Sequence, residues 1–185
     1  MSDFKVASRY AKSLLDLSIE QGVVEEVHSD MRTFDNICRQ SRDFYLMLKN
    51  PIINPHKKLK ILDEIFSKKF HQVSMSIFRL ITQKQRESYL PSICRQFLFQ
   101  YNIYKGIETA EVTTTFPLTE DLRKEFITVV RNMTGKKVEL EEKVDKEILG
   151  GFVLKFSDRQ VDDSLSGKLK ELKLKFQRNQ QVTAL

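Results

Sequence analysis

DKEILGGFVLKFSD, Asp145 to Asp158, followed by RQVDDSLSGKLKELK, Arg159 to Lys173, is the stretch whose reading decides the fold. Gly150 and Gly151 stand where an extended pattern begins. Adjacent glycines there imply a bulge or a close approach of another backbone, since only Gly accepts positive φ and leaves such room. Phe152, Leu154 and Phe156 alternate with Val153 and Lys155, the period-two signature of a half-buried strand. Ser157-Asp158 supplies turn chemistry, and Val161 is a short apolar touch before Asp162-Asp163-Ser164 opens a helix. The run carries no reactive group and reads as a device for holding shape.

Working outward, the chain before residue 105 has helical periodicity. Val6, Tyr10, Ala11, Leu14, Leu15 and Leu17 mark a first helix, with Ser2 or Asp3 as its cap and Gly22 as its end. A second helix sets Val23, Val27, Met31, Phe34 and Cys38 on one face. Asp43–Lys49 is a shorter helix stopped by Asn50-Pro51, and Pro55 opens a fourth with Leu59, Leu62, Ile65 and Phe66 inward. Val73, Ile77, Leu80, Ile81 and Lys84 outline a fifth, and Ile93, Phe97, Tyr101 and Tyr104 a sixth over 87–105. Six helices on short loops predict a compact bundle.

The period changes at Gly106. Residues 107–116 contain EVTTTF, rich in β-branched residues, and Pro117 ends that strand. Thr119-Glu120-Asp121 caps a helix bearing Leu122, Phe126, Val129, Val130 and Met133 that stops at Gly135. Residues 136–144 alternate through Val138 and Leu140 as a strand. A last helix over 163–178 turns Leu165, Leu169, Leu172 and Phe176 inward as core, and QRNQQVTAL is a polar tail. The expected fold is therefore α+β in two domains, a six-helix bundle over 1–105 and a small α/β domain over 106–185.

The composition, 41% hydrophobic and 30% charged in 185 residues, is that of a globular chain. No apolar run approaches the ~20 residues of a membrane span, and the N-terminus lacks the apolar core and cleavage site of a secretory signal. Cys38 and Cys94 stand alone on helical patterns and read as buried thiols of a reducing compartment. Residues 1–105 hold 17 Lys and Arg against 11 Asp and Glu, and residues 106–185 hold 14 against 14. The whole excess of +6 thus belongs to the helical part, where it suits solvated helix faces, nucleic acid or an acidic partner.

Candidate chemistry is sparse. His28, His56 and His71 lie in three segments without metal-ligand spacing, so no metal site is expected. The run 164–168, SLSGK, lacks the first Gly of a phosphate loop and the Ser or Thr after Lys168, so no nucleotide or other cofactor is expected. Asp158, Asp162 and Asp163 suit turns and caps. No nucleophile–base arrangement is present and no catalytic residue is assigned. What remains is a binding module. Tyr10, Ser13, Leu14 and Leu17 form one stripe; Ile77, Leu80, Ile81 and Lys84 form another.

The order of Asp145, Gly150, Gly151, Phe152, Leu154, Asp158, Asp162 and Ser164 in the opening stretch is similar to the signature of one family. That family is the delta subunit of bacterial F-type ATP synthase, called the oligomycin-sensitivity-conferring protein in mitochondria. FKVASRYAKSLLDLSIEQG (4–22) resembles the family's first helix, and SIFRLITQKQRESYLPSICRQF (76–97) the join of its fifth and sixth. The sequence departs from the pattern at Ser157, where members often carry Gly. The resemblance implies a non-catalytic stator subunit at the cytoplasmic face of the bacterial cell membrane. It implies a groove between the first and fifth helices for an amphipathic N-terminal helix of an alpha subunit, with Ser13 and Lys84 on its polar rim. It also implies a C-terminal domain, around Gly150-Gly151 and the last helix, that engages the C-terminal end of the peripheral-stalk b subunits. On residues alone the runner-up is a basic helical adaptor for nucleic acid or an acidic surface, to be told apart by steep salt dependence.

Overall fold

In a computed structural model, the backbone of residues 3–182 and the side chains of residues 4–173 are described. Ser2 as a cap, the side chain of Phe176 and the end of the polar tail lie outside the described residues. The chain divides into two compact units, Met1–Tyr104 and Lys105–Leu185.

The first unit is helical: α1 (Asp3–Glu20), α2 (Val24–Gln40), α3 (Arg42–Lys49), α4 (Pro55–Phe66), α5 (Gln72–Gln83) and α6 (Leu90–Lys105), with a 3-10 turn Glu87–Tyr89 before α6. Asp3 is the first helical residue rather than a cap. Caps set most other boundaries. Ser41 accepts from the Phe44 N–H, Asn54 from the His56 N–H, and the His71 side chain from the Val73 N–H. Gly22, at φ +70°, lets the chain leave α1.

The core of this unit is aromatic. Phe34 and Phe78 lie 4.8 Å apart, with Phe44, Phe66 and Phe70 around them. Leu14, Met31, Leu62, Ile81 and Phe97 are buried beside them. Helix α1 is tied to the far end of the unit's sequence: Gln100 Nε2 donates to the Ser8 carbonyl at 3.0 Å and to Ser8 Oγ at 3.2 Å. Several residues expected inside are exposed, among them Leu17, Ile65, Leu80 and Tyr104. Each sits at the edge of its helix's apolar face, where periodicity alone does not say whether a neighbour covers it.

Periodicity also hides a polar core. Lys58 is buried on α4; its ammonium donates to Glu87 Oε1 at 2.6 Å and to the Leu48 carbonyl at 3.0 Å. Leu48 lies in the last turn of α3, so Lys58 satisfies one of the carbonyls a helix end leaves unpaired. Asp30, also buried, accepts from the His71 N–H and from Ser74 Oγ, fastening α2 to the start of α5.

The second unit is α/β: β1 (Ile107–Thr114), α7 (Glu120–Thr134), β2 (Lys137–Val144), β3 (Phe152–Phe156), β4 (Arg159–Asp162) and α8 (Leu165–Val182). The sheet order is β2-β1-β3-β4. β1 and β2 are parallel, which requires the crossover that α7 supplies, whereas β1–β3 and β3–β4 are antiparallel. Ala110, Val112, Val130, Leu154 and Phe156 form the core, with Phe126 and Phe152 edge-on at 4.9 Å beside it. Val129 and Met133, expected inward on α7, are exposed.

The stretch around Val161 is a fourth strand, not a brief apolar touch before a helix. Phe156 pairs with Arg159 across Ser157-Asp158, making a tight hairpin. One apolar residue in four gives such an edge strand no readable alternation. Ser157 takes φ +50°, the conformation that explains why Gly suits this position. Its hydroxyl compensates by donating to Glu108 Oε1 at 2.6 Å, while Lys136 Nζ donates to Oε2 at 3.1 Å. The Ser157 bond, then Lys136, holds the Glu108 carboxyl below its ordinary value of 4.5, against the opposing effect of burial. A lowered folded-state pKa contributes stability that is present above the unfolded value and lost as pH falls through the folded one. Glu108→Gln should therefore flatten the acid limb of a melting-temperature profile below pH ~4.5. An unchanged acid limb would show that this carboxylate is not linked to folding.

Candidate functional site

The two stripes on α1 and α5 belong to helices in contact with each other. The stripes do not both face outward along their length. Leu14 and Ile81 are 1% and 0% exposed, so they are core and offer nothing to a partner. Their neighbours at the edge do: Leu17 and Leu80 are 37% and 42% exposed, and Tyr10 and Ile77 are half-buried. A shallow apolar strip is left, with core residues as its floor.

The polar ends of the strip are defined by geometry that no sequence motif announces. Tyr10 Oη accepts from Arg86 Nη1 at 3.0 Å. Arg86 lies just beyond α5, after Gln85 turns the chain at φ +56°. Lys84 is the C-cap of α5, with its backbone N–H on the Leu80 carbonyl at 3.1 Å. Ser13 is exposed, but its hydroxyl donates back to the Arg9 carbonyl at 3.1 Å. Arg86, brought beside the α1 stripe by its bond to Tyr10, was not among the expected residues. Its one sequence signal is its position six residues past Leu80, just beyond the end of α5.

In the second unit the signature residues act as a backbone fastening. Gly151 has φ +77°, and a Cβ there would lie 2.3 Å from the Asp163 carbonyl oxygen. The close approach is what lets the Asp163 N–H reach the Phe152 carbonyl at 2.9 Å and the Leu165 N–H reach the Gly150 carbonyl at 3.1 Å. Asp145 accepts from the Glu147 N–H and donates its own N–H to the Thr114 carbonyl. Asp162 accepts from the N–H and hydroxyl of Ser164, and these bonds lower its pKa. Ser164 Oγ in turn accepts from the Gly167 N–H at 3.0 Å, capping α8. Asp158 is exposed in the hairpin turn. Phe152 and Leu154 point to the sheet core.

Leu165, Leu169 and Leu172 are not core. They are about half exposed or more, at i, i+4 and i+7 along one face of α8, and Leu149 is exposed nearby on the chain. Leu165 Cδ1 would touch a Cβ on Gly150 at 3.0 Å, so this apolar face begins at the double glycine. Helical spacing correctly identifies the stripe, but the sheet core is closed by α7 and does not need it.

Among the described residues no bond-making apparatus emerges. Burial pushes the Cys38 thiol up to about 12 and the Cys94 thiol well above its ordinary value, so neither is a thiolate at neutral pH. Cys94 Sγ donates to the Met31 carbonyl. His28 stacks on Tyr101 at 3.8 Å and His71 caps α5; His56 borders a shallow open depression on α4. Among the described residues no group of His, Cys, Asp and Glu is placed to hold a metal, and no helix is long and apolar enough to cross a membrane. What the arrangement can do is present apolar helix faces with polar edges.

The sequence matches the family model described as ATP synthase delta (OSCP) subunit over residues 6–176. It is 43% identical over 176 residues to ATP synthase subunit delta of Cytophaga hutchinsonii, covering 95% of this chain and 96% of that one. It is 41% identical, with the same coverage, to ATP synthase subunit delta of Amoebophilus asiaticus. Among solved structures, a chain in the cryo-EM structure of the Toxoplasma gondii mitochondrial ATP synthase hexamer has a similar fold. That match has a TM-score of 0.74 at 21% identity, covering 92% of this chain and 96% of that chain.

Proposed function

The chain belongs to the ATP synthase delta (OSCP) subunit family, a non-catalytic stator component of the F-type ATP synthase, and from that premise we propose how its two units grip their partners. The six helices of residues 1–105 act as a bundle that holds the catalytic head. An amphipathic N-terminal helix of an alpha subunit lies in the strip between α1 and α5, its apolar face on Leu17, Ile77 and Leu80. Residues 106–185 engage the C-terminal end of the peripheral-stalk b subunits through the leucine face of α8, beside the double glycine. The assembly stands at the cytoplasmic face of a bacterial cell membrane, which this subunit does not itself span.

The observation that carries this reading is the exposure of Leu17 and Leu80 on adjacent helices whose deeper residues, Leu14 and Ile81, are fully buried. Proton flow turns a rotor, and the head must be kept from turning with it. A clamp against that torque needs slowly dissociating contacts, which apolar helix-in-groove packing provides. Burial of Leu165, Leu169 and Leu172 by a stalk helix would remove the apolar face that the fold leaves open.

The test is calorimetric titration of the full chain with a peptide of the alpha subunit's first twenty or so residues. Leu80→Asp should weaken binding by roughly tenfold or more with an unchanged melting temperature, as for a central apolar anchor. Ile81→Asp should instead unfold the helical unit, because it buries a carboxylate without a partner. Leu169→Asp should leave the alpha peptide's affinity intact and abolish binding of a peptide from the carboxy-terminal end of the stalk's b chain. Unaltered alpha-peptide binding by Leu80→Asp would overturn the α1–α5 assignment.

A further inference from the structure

The charges along α1 run against the helix's own dipole. Beyond Asp3, it carries Lys5, Arg9 and Lys12 before Asp16 and Glu20, with no basic residue in the last turn. Aligned peptide dipoles favour the opposite order, acidic first and basic last. All five side chains are exposed, so burial does not dictate the choice. A local rule broken along one edge of a binding strip marks a demand from outside the helix.

The fold extends that polarity across the strip. The Tyr10–Arg86 bond brings the end of α5 beside the first half of α1, so Arg9, Lys84 and Arg86 mark one end as basic. Among the described residues none of these three forms an ion pair with a carboxylate. The other end, past Leu17, carries Glu20.

Resting on the groove reading above, the geometry points to a partner of defined chemistry and direction. It is an amphipathic helix that lies parallel to α1, with carboxylates in its first turns over Arg9, Lys84 and Arg86 and cations in its last turn near Glu20. That is the charge order an ordinary helix prefers for itself, so the partner needs no unfavourable sequence to fit. Apolar contact supplies the affinity and the charges supply the register and direction.

Two designed 20-residue peptides with the same apolar face test this on the full chain. One carries Glu in its first two turns and Lys in its last; the other carries Gln at those positions. At about 20 mM salt the charged peptide should bind roughly tenfold tighter, and the gap should close at about 0.5 M, where the screening length is roughly 4 Å. Lys84→Gln should weaken the charged peptide alone. A nitroxide on that peptide's N-terminus should broaden the amide signals of Arg9 and Arg86 and spare Glu20. Equal affinities at low salt, or broadening at Glu20, would overturn the charge-and-direction proposal while leaving the groove in place. Failure of both peptides to bind would overturn the groove reading along with it.

Discussion

Gly151→Ala is expected to destabilise the carboxy-terminal unit by about 3 kcal/mol or more, the range of a substitution that combines backbone strain with a clash. Two costs coincide at this position. The φ of +77° disfavours any side chain, and the added Cβ would sit 2.3 Å from the Asp163 carbonyl, a backbone atom that cannot rotate away. Relief requires the segment after β4 to retreat, which breaks the bond from the Asp163 N–H to the Phe152 carbonyl and loosens the start of α8. Gly135→Ala separates the two costs. Gly135 has φ +70° with nothing within 4 Å of its missing Cβ, so only the conformational penalty of about 1–2 kcal/mol applies. Urea unfolding of both variants, followed by the amide signals of β3, gives the comparison. Equal losses would mean that the approach of Asp163 costs nothing, and the double glycine would need another explanation.

The second large effect lies in the helical unit. Lys58→Met should cost about 3–5 kcal/mol, because it leaves the Glu87 carboxylate buried without its cation. Glu87 Oε2 has no hydrogen-bond partner in the structure even with Lys58 in place, so nothing is at hand to take over. The pair itself is a weak source of stability, since desolvating two ions offsets most of their attraction. Lys58→Met combined with Glu87→Leu should therefore recover most of the loss. Denaturant midpoints for the two single variants and the double variant close the cycle. A double variant as unstable as the worse single one would show that the ion pair stabilises the junction of α3, α4 and the 3-10 turn on its own account.

The helices and the change of period at Gly106 were legible because caps and spacing are local. Asn54-Pro55, Thr119 and Gly135 mark boundaries by chemistry that does not depend on the rest of the fold. The double glycine was legible as a close approach, though not what approached it. What a single sequence could not show is which side of an apolar stripe meets a neighbour. Leu165, Leu169 and Leu172 have the spacing of core residues and are exposed; Lys58 and Glu87 have the character of surface residues and are buried. Both outcomes are set by packing between distant segments. The α1 stripe shows the same limit at finer scale, since Leu14 and Leu17 are one turn apart and only Leu17 is exposed. The contact of Arg86 with Tyr10 was not foreseen, because a hydrogen bond spanning 76 residues leaves no local trace.

The bond from Gln100 to Ser8 spans 92 residues, and it has a consequence for how the chain is made. Synthesis proceeds from the amino terminus at about 5–20 residues per second. The apolar face of α1, with Ala7, Ala11, Leu14 and Leu15, therefore emerges before α6, to which it is tied, and waits roughly 5–20 s for that helix to leave the ribosome. During that interval the nascent chain presents an unpaired sticky face, and slowing translation over residues 20–90 should lengthen its exposure to chaperones and proteases. The helix we place against the catalytic head is made before the segments that cover it, and its shelter waits on the last helix of its unit.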